Sequence, residues 1–405
     1  MKTELDQLSK EATISVAREH VESRGGGHEA DASSSSTEHA RNPERVSRVS
    51  LFRRATRLFQ RQWRRARSRL DAWLIRWGAR SRLANWFYYC VWTGRLRREQ
   101  RAILAGRIKF QIEADDPPET SAQLRRGVHR LEKGLLMRPR RDIFALDYIR
   151  ETFGTYRELL NHAGTCERAI GELTWAHDVL EAYFDATANH PKIDPLREEF
   201  RQLPEPGACS TARFVPYKRD LTAPDPVRWE ALRELTQRRR SVRWFLQERV
   251  PRELIEQAVE IAAQSPSACN RQPFVFRVFD EPELAHQVGG IPAGTTGFSH
   301  QFPAVIVVVG RLRAYFDERD RHVIYIDGAL ASMSLVYALE TLGLSSCCIN
   351  WPDIEERERE MERVLQLEPD ERPIMLIAVG YPDPEGLVAY SQKKSVDQLC
   401  RFNFE

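Results

Sequence analysis

Two uninterrupted apolar runs, Ala304-Val-Ile-Val-Val-Val309 and Ile374-Met-Leu-Ile-Ala-Val379, constrain the fold more than any other feature of the chain. A strand with one face in water alternates apolar and polar residues, whereas a run with no polar member suits a strand covered on both sheet faces. Shorter runs at Phe274–Phe279 and Ser346–Ile349 predict two further strands. Around them, apolar spacing predicts helices over Pro226–Arg239, Pro251–Gln264, Ile326–Leu342 and Ile354–Leu365. An α+β domain over 226–405 follows, with a central sheet covered by helices.

Composition divides the rest. Residues 1–47 hold Gly25-Gly-Gly27, the serine run Ser33–Ser36 and scattered charge, with too little apolar material to repay ordering, and read as a disordered tail. Residues 48–115 form a basic helical arm. From Arg48 to Arg101 only Asp71 and Glu99 oppose the arginines, which are interleaved with Trp63, Trp73, Trp77, Trp86 and Trp92. Residues 116–200 read as a helical accessory module, with helices over Gln123–Leu136, Ile143–Leu160 and Cys166–Ala186. Pro204, Pro206, Pro216 and Pro224 mark 201–225 as a linker.

The arm admits three readings. Residues 48–101 suit an interfacial helix on an anionic membrane, with Arg on one face and Trp, Leu and Phe on the other. Nucleic acid would answer the charge, but no recognisable binding module accompanies it, so that partner is not expected. A basic helix packed on this protein or on a partner is the third. No apolar run of membrane-spanning length stands out, and the start lacks the basic head and apolar core of a secretory signal, so a cytoplasmic protein, peripheral to the membrane's inner face, is expected. Seven cysteines form no C-x-x-C pair and no Cys/His group at zinc spacing, so no metal site is expected. Adjacent Cys347 and Cys348 are expected in the core of a strand.

Chemistry concentrates between Arg238 and Phe274. Arg239-Arg-Ser-Val-Arg243 sets fixed positive charge beside a hydroxyl, which suits a phosphate; a solvated helix end is the plainer reading. Ser265-Pro-Ser-Ala-Cys-Asn-Arg-Gln-Pro273 is a turn of small and amide residues that could line a flat polar ring. Asp327 is expected to cap a helix starting near Gly328. Within His129-Arg-Leu-Glu-Lys-Gly-Leu135, His129, Glu132 and Lys133 share a helix face and would either tie the module to its neighbour or act in catalysis.

Taken in order, Arg239–Arg243, Ser265–Pro273, Asp327-Gly-Ala-Leu-Ala-Ser-Met-Ser-Leu335 with Leu342-Gly-Leu344, Cys347-Cys-Ile-Asn-Trp351, Ile377-Ala-Val-Gly-Tyr381 and Lys393-Lys394 resemble the FMN-dependent nitroreductase family. His129–Leu135 and Gly297-Phe-Ser-His300 resemble a branch of it with a helical N-terminal extension, associated with bacterial polysaccharide gene clusters. The resemblance implies a nitroreductase-like FMN-binding fold and an intertwined homodimer with FMN at the interface. It implies that Arg239, Arg240, Ser241 and Arg243 hold the phosphate and ribityl chain with Lys393 or Lys394. Pro266, Ser267 and Asn270 would reach the flavin from the partner subunit, and backbone groups of Ile349, Asn350 and Trp351 would approach its reactive nitrogen. Trp351 departs from the small or acidic residue common there and would narrow the pocket.

His300 is the titratable group expected near the substrate face, as a proton donor. NADH or NADPH would be the electron donor and a small organic molecule the acceptor, with nitro compounds or quinones as test substrates. No G-x-G-x-x-G fingerprint announces a separate nicotinamide domain. The alternative is a flavin-binding or non-catalytic module acting in assembly at a membrane surface.

Overall fold

The computed structural model describes residues 62–63, 66–115, 120–162, 170–207 and 213–404, so the tail over 1–47 lies outside the described residues. The chain divides into two compact units, Met1–Trp92 and Thr93–Glu405. In the first, a helix over 66–78 is followed by a helix Arg82–Phe87, which continues as a π-helix over Tyr88–Thr93. The Ser81 hydroxyl caps the second helix by accepting from the Ala84 amide at 3.4 Å. One carboxylate oxygen of Asp71 accepts from the Tyr88 hydroxyl at 3.1 Å and the Trp92 indole at 2.9 Å, so this acid ties the two helices together. Trp73 stacks on Trp77 at 6.0 Å, and Trp63, Trp73, Trp77, Leu83 and Trp86 are all exposed.

The second unit opens with helix α1 (Arg97–Asp115). It lies within the expected arm over 48–115, but it packs with the C-terminal body. Gly106 permits the approach: a Cβ there would stand 2.7 Å from Leu312 Cβ. Arg98 reaches Glu355 and Glu362, each at 2.8 Å, and Arg107 reaches Glu318 at 2.6 Å.

Helices α2 (Ala122–Leu135), α3 (Ile149–His162), α4 (Ile170–Ala186) and α5 (Asp194–Gln202) enclose a separate core that includes Leu124, Leu131, Phe153, Tyr156, Tyr183 and Phe200. α3 begins after the expected residue 143 because Ala145 takes φ 64, a left-handed conformation that a right-handed helix cannot run through. The expected start of α4 at Cys166 lies outside the described residues. Gly134 of the His129–Leu135 motif lies directly against the Phe144 ring, where any side chain would collide.

Beyond the linker come α6 (Trp229–Arg238), α7 (Arg252–Ala263), β1 (Phe274–Phe279), α8 (Pro282–Gly290), β2 (Ala304–Arg311), α9 (Val323–Thr341), β3 (Ser345–Asn350), α10 (Glu355–Leu365), β4 (Glu371–Gly380) and a short α11 (Val396–Leu399). All four expected strands form, in the order β1-β2-β4-β3, each antiparallel to its neighbours. β2 shows why an unbroken apolar run was needed. Val305, Val307 and Val309 join a core with Val288, Met361 and Leu376, while Ala304, Ile306 and Val308 join a second core with Ile255, Ala258, Leu335 and Leu339. Each such Val or Ile, withdrawn from water, contributes about 1.5–3 kcal/mol.

Helices α5 and α8 fall outside the expected set, although both carry Pro in the first turn, a position that leaves no hydrogen bond unmade. The stretch Glu318–Thr341 is long and apolar enough to cross a membrane by length and composition, contrary to the expectation that no such run exists. Half of it is buried, and α9 within it supplies Leu335, Val336 and Leu339 to the core between the sheet and α7.

Candidate functional site

α6 ends at Arg238, whose guanidinium pairs with Glu340 at 3.2 Å. The chain then runs extended beside the start of β3, where Ser241 bridges Ser346 and the Val242 amide donates to the Ser346 carbonyl at 3.1 Å. Val242 turns into the core and leaves Ser241 and Arg243 on the outer side. Gln301 fixes this segment: its side-chain oxygen accepts from the Phe245 amide at 2.8 Å, and its side-chain amide donates to the Arg243 carbonyl. The Arg243 guanidinium lies 5.9 Å from the Phe298 ring. The short turn Ser299–Gln301, with exposed His300, is thereby brought to the Arg243 segment.

Among the described residues, Arg239, Arg240 and Arg243 form no ion pair with a carboxylate. Their hydrogen bonds go to backbone oxygens instead, from Arg240 to the Arg239 carbonyl at 3.0 Å and from Arg243 to the Ser241 carbonyl at 3.3 Å. Three guanidinium groups with charge left unneutralised beside a hydroxyl fit an anionic ligand such as a phosphate.

The second motif is a tightly fixed turn. Ser265 donates to Ser334 at 2.7 Å, and the Ser267 hydroxyl accepts from the Gln272 amide at 3.1 Å. Cys269, Asn270 and Gln272 take φ of 54, 53 and 48, left-handed values that cost a residue with a side chain about 1–2 kcal/mol each. Pro266 is exposed, and Ser267 and Asn270 are half-buried. The Ala268 amide donates to Asp327, which also accepts from the Tyr315 hydroxyl at 3.2 Å. Asp327 therefore caps no helix: α9 starts earlier, at Val323, and the buried carboxylate fastens the turn instead. Burial pushes its pKa up, with the hydrogen bonds from Ala268 and Tyr315 and the nearby Arg271 opposing.

At the end of β3, Ile349 is buried and Asn350 exposed. Trp351 does not narrow a pocket. Its ring packs in the core, and its indole N–H donates to Glu358 at 2.7 Å, whose carboxylate also meets Arg372 at 3.1 Å. Cys347 is buried but Cys348 is exposed, which corrects the expectation of a buried pair: neighbours on a strand point to opposite faces. Lys393 and Lys394 are exposed on the segment after β4, with no hydrogen bond to Ser241 among the described residues.

Strand register places the two motifs at different levels along the sheet. Ser241 sits level with Ser346, Val379 and Ala304, whereas Phe274, which follows the second motif directly, sits level with Gly310 and Arg372. Gly310 lies six residues beyond Ala304 along β2, which is about 20 Å at the rise of a strand. Asn350 lies between, level with Met375 and Val308.

His129 stands 3.5 Å from Glu132, which also accepts from the Trp175 indole at 3.1 Å, so both belong to the packing of α2 on α4. No cluster of three metal-binding side chains occurs among the described residues. Gln301, Tyr315 and Arg125 also shape the site and lie outside the residues expected from the sequence. Gln301 follows His300 directly, and Arg125 lies one helical turn before His129, on the same face.

The nitroreductase family model matches residues 236–296 and 291–381, so the C-terminal region carries a nitroreductase domain. The chain is 25% identical to iodotyrosine deiodinase 1 of Pongo abelii over 194 residues, which cover 41% of this chain and 66% of that protein, just under two thirds of its length. It is 26% identical to an iodotyrosine deiodinase of Thermotoga neapolitana over 174 residues, 38% of this chain and 89% of that one. Among solved structures, an FMN-dependent nitroreductase of Clostridium difficile superposes with a TM-score of 0.36 at 20% identity, covering 42% of this chain and 98% of that one.

Proposed function

We propose that this chain is an FMN-dependent oxidoreductase that works as a homodimer, with NADH or NADPH as electron donor and a small organic molecule as acceptor. The observation that carries the reading is the set of three guanidinium groups, Arg239, Arg240 and Arg243, without carboxylate partners among the described residues, beside Ser241 in a nitroreductase domain. The phosphate of FMN is close to dianionic and would be neutralised there, with Lys393 or Lys394 of the C-terminal segment adding charge. When bound, the flavin would supply the two-electron chemistry, and the protein would supply binding, orientation and electrostatics.

The separation of about 20 Å along the sheet supports a two-chain site. Arg239–Arg243 of one subunit would hold the phosphate end of a flavin, while Pro266, Ser267 and Asn270 of the other would reach its ring. Backbone groups of Ile349, Asn350 and Trp351 would lie near the reacting edge. The C-terminal segment supports the same arrangement, since Leu387, Tyr390, Val396, Leu399 and Phe402 are all exposed in the single chain. His300, on the turn that pins Arg243, is the proton donor in this reading; unchanged turnover in His300→Asn removes it from the mechanism. Iodotyrosine, named in the relatives, joins nitroarenes and quinones as a test acceptor.

For the arm we propose contact with an anionic membrane surface, which would hold a cytoplasmic enzyme at the inner face. The exposed tryptophans beside the arginines support this over nucleic acid.

Purified protein should be yellow and should bleach with NADH or NADPH. A colourless protein that takes up no added FMN overturns the reading and leaves a non-catalytic assembly module. A yellow protein that neither nucleotide bleaches keeps the flavin and removes the donor.

A further inference from the structure

The left-handed turn at 268–272 is held partly by its own bonds, the Gln272 amide donating to Ser267 at 3.1 Å and the Gln272 side chain to the Ala263 carbonyl at 2.9 Å, and partly from outside. Its outer side rests on α2, where Arg125 hydrogen-bonds it. The Arg125 Nε–H donates to the Asn270 carbonyl at 2.7 Å, and one terminal nitrogen donates to Gln272 Oε1 at 3.3 Å. The other terminal nitrogen pairs with Glu172 of α4 at 2.8 Å, and the guanidinium lies 5.5 Å from the Trp175 ring. Both anchoring groups are themselves fixed. Glu172 is buried and accepts from the Ser121 amide at 3.0 Å, and the Trp175 indole donates to Glu132. Arg125 thus joins two helices of the accessory module to two of the three residues whose backbones are left-handed.

From this geometry we infer that the accessory module is a brace for the flavin-facing turn, and that Arg125 is the positioning residue through which it acts. The inference rests on the proposed flavin reading of 265–273, although the brace itself has a test that needs no flavin. A carbonyl that receives a guanidinium N–H is fixed in direction, and the peptide plane containing it is fixed too. Fixing the Asn270 carbonyl therefore sets the orientation of the 270–271 peptide. It also holds Asn270 and Gln272 in conformations that they would otherwise leave for the α or β regions. Asp327 secures the same turn from the opposite side at Ala268. The turn is clamped between α9 and α2, and only the clamp on α2 belongs to the accessory module.

This gives the extension carrying His129–Leu135 a role that its own side chains do not reveal. His129, Glu132 and Trp175 form the support beneath Arg125 and need not meet the cofactor. If the turn serves the flavin of the partner subunit, the accessory module of one subunit sets the geometry of the other subunit's site.

Arg125→Ala and Arg125→Lys test this in the full-length chain. Amide hydrogen exchange over 268–273, measured without added FMN, should rise about tenfold or more in Arg125→Ala, since a charge-assisted hydrogen bond is lost. Exchange in α3 and in the sheet should stay at wild-type values, which guards against general unfolding. With FMN added, Arg125→Ala should bind it about tenfold more weakly and show a shifted flavin reduction potential. Arg125→Lys, able to reach one acceptor but not the fork of three, should fall between. Unchanged exchange over 268–273 in Arg125→Ala overturns the brace. Raised exchange with unchanged FMN affinity and potential limits Arg125 to holding the backbone and overturns its assignment to the cofactor. A wild type that takes up no FMN overturns the flavin reading, and the exchange result then decides the brace alone.

Discussion

The carboxylate of Asp327 lies 2.9 Å from the amide nitrogen of Ala268, and this bond fastens the second turn of α9 to the motif at 265–273. Asp327 is buried, and its pKa is raised from the ordinary 3.8 chiefly by that burial. A raised carboxyl keeps its proton in the folded state where the unfolded chain has lost it. Stability therefore falls as pH rises from 3.8 through the folded value, and the cost is complete above it. Asn at 327 still accepts from Ala268 and Tyr315 but carries no charge. The melting temperature of Asp327→Asn should gain on wild type as pH rises from about 4 to 8 and match it at the acid end. Asp327→Ala, which orphans two donors, should lose about 1–3 kcal/mol per donor at every pH. A wild-type advantage over Asp327→Asn that grows with pH contradicts this account.

Trp351, Glu358 and Arg372 form a buried polar group in which the carboxylate serves both an indole and a guanidinium. Removing the acid leaves Arg372 buried, with Asp353 at 2.8 Å and the Tyr325 hydroxyl as remaining partners. Glu358→Ala should lower unfolding free energy by about 3–5 kcal/mol. Trp351→Phe, which keeps the ring and loses one hydrogen bond, should cost about 1–2 kcal/mol. Urea unfolding at constant m-value measures both. Equal losses in the two variants would show that the ring, not the charge pair, governs this corner.

Among the described residues Arg239 and Arg243 have no carboxylate to release, so replacing them should alter ligand binding far more than folding. Arg239→Ala and Arg243→Ala should each weaken FMN by roughly tenfold or more, the worth of a charge-assisted contact, with melting temperature little changed. Raising salt should narrow the gap from wild type. Fluorescence titration of apoprotein with FMN reads the affinity, and riboflavin, lacking the phosphate, is the control. If riboflavin suffers as much as FMN, the arginines do not bind the phosphate.

Trp73 and Trp77 stack on each other on the exposed side of the helix over 66–78. The paired change Trp73→Ala with Trp77→Ala should reduce sedimentation with vesicles of anionic phospholipid by roughly tenfold, because each indole buries a large apolar surface at the headgroup boundary. Neutral vesicles should bind poorly in both proteins. Flavin content should not change. Undiminished sedimentation of the double variant rejects the membrane face.

Much of the fold can be read along the chain because its signals are local. The runs at Ala304 and Ile374 mark strands covered on both faces, and Val305 and Ile306 do enter opposite cores. Helices α7, α9 and α10 follow apolar periods and end within a few residues of the expected limits. Failures of expectation came where a residue's partner is distant in sequence. Asp327 suited a helix cap until Ala268, fifty-nine positions away, supplied a donor. Trp351 suited a pocket wall until Glu358 accepted its N–H. Arg125 carried no signal apart from its helix face, because what distinguishes it lies at Asn270 and Glu172.

By itself, the sequence determined the four strands, the helical accessory module, the arginine and amide motifs and their resemblance to a flavin site. Each depends on side-chain type at short spacing, and short spacing is preserved in any fold of the chain. Only the tertiary structure decided which charges are neutralised. Arg238 meets Glu340, and Arg98 meets Glu355 and Glu362, while Arg239, Arg240 and Arg243 meet no carboxylate among the described residues. Pairing depends on distances of a few ångströms between residues far apart in the chain, and composition cannot encode them. The arginines look alike in sequence; their surroundings separate a helix end and an anchoring pair from a set of free cations.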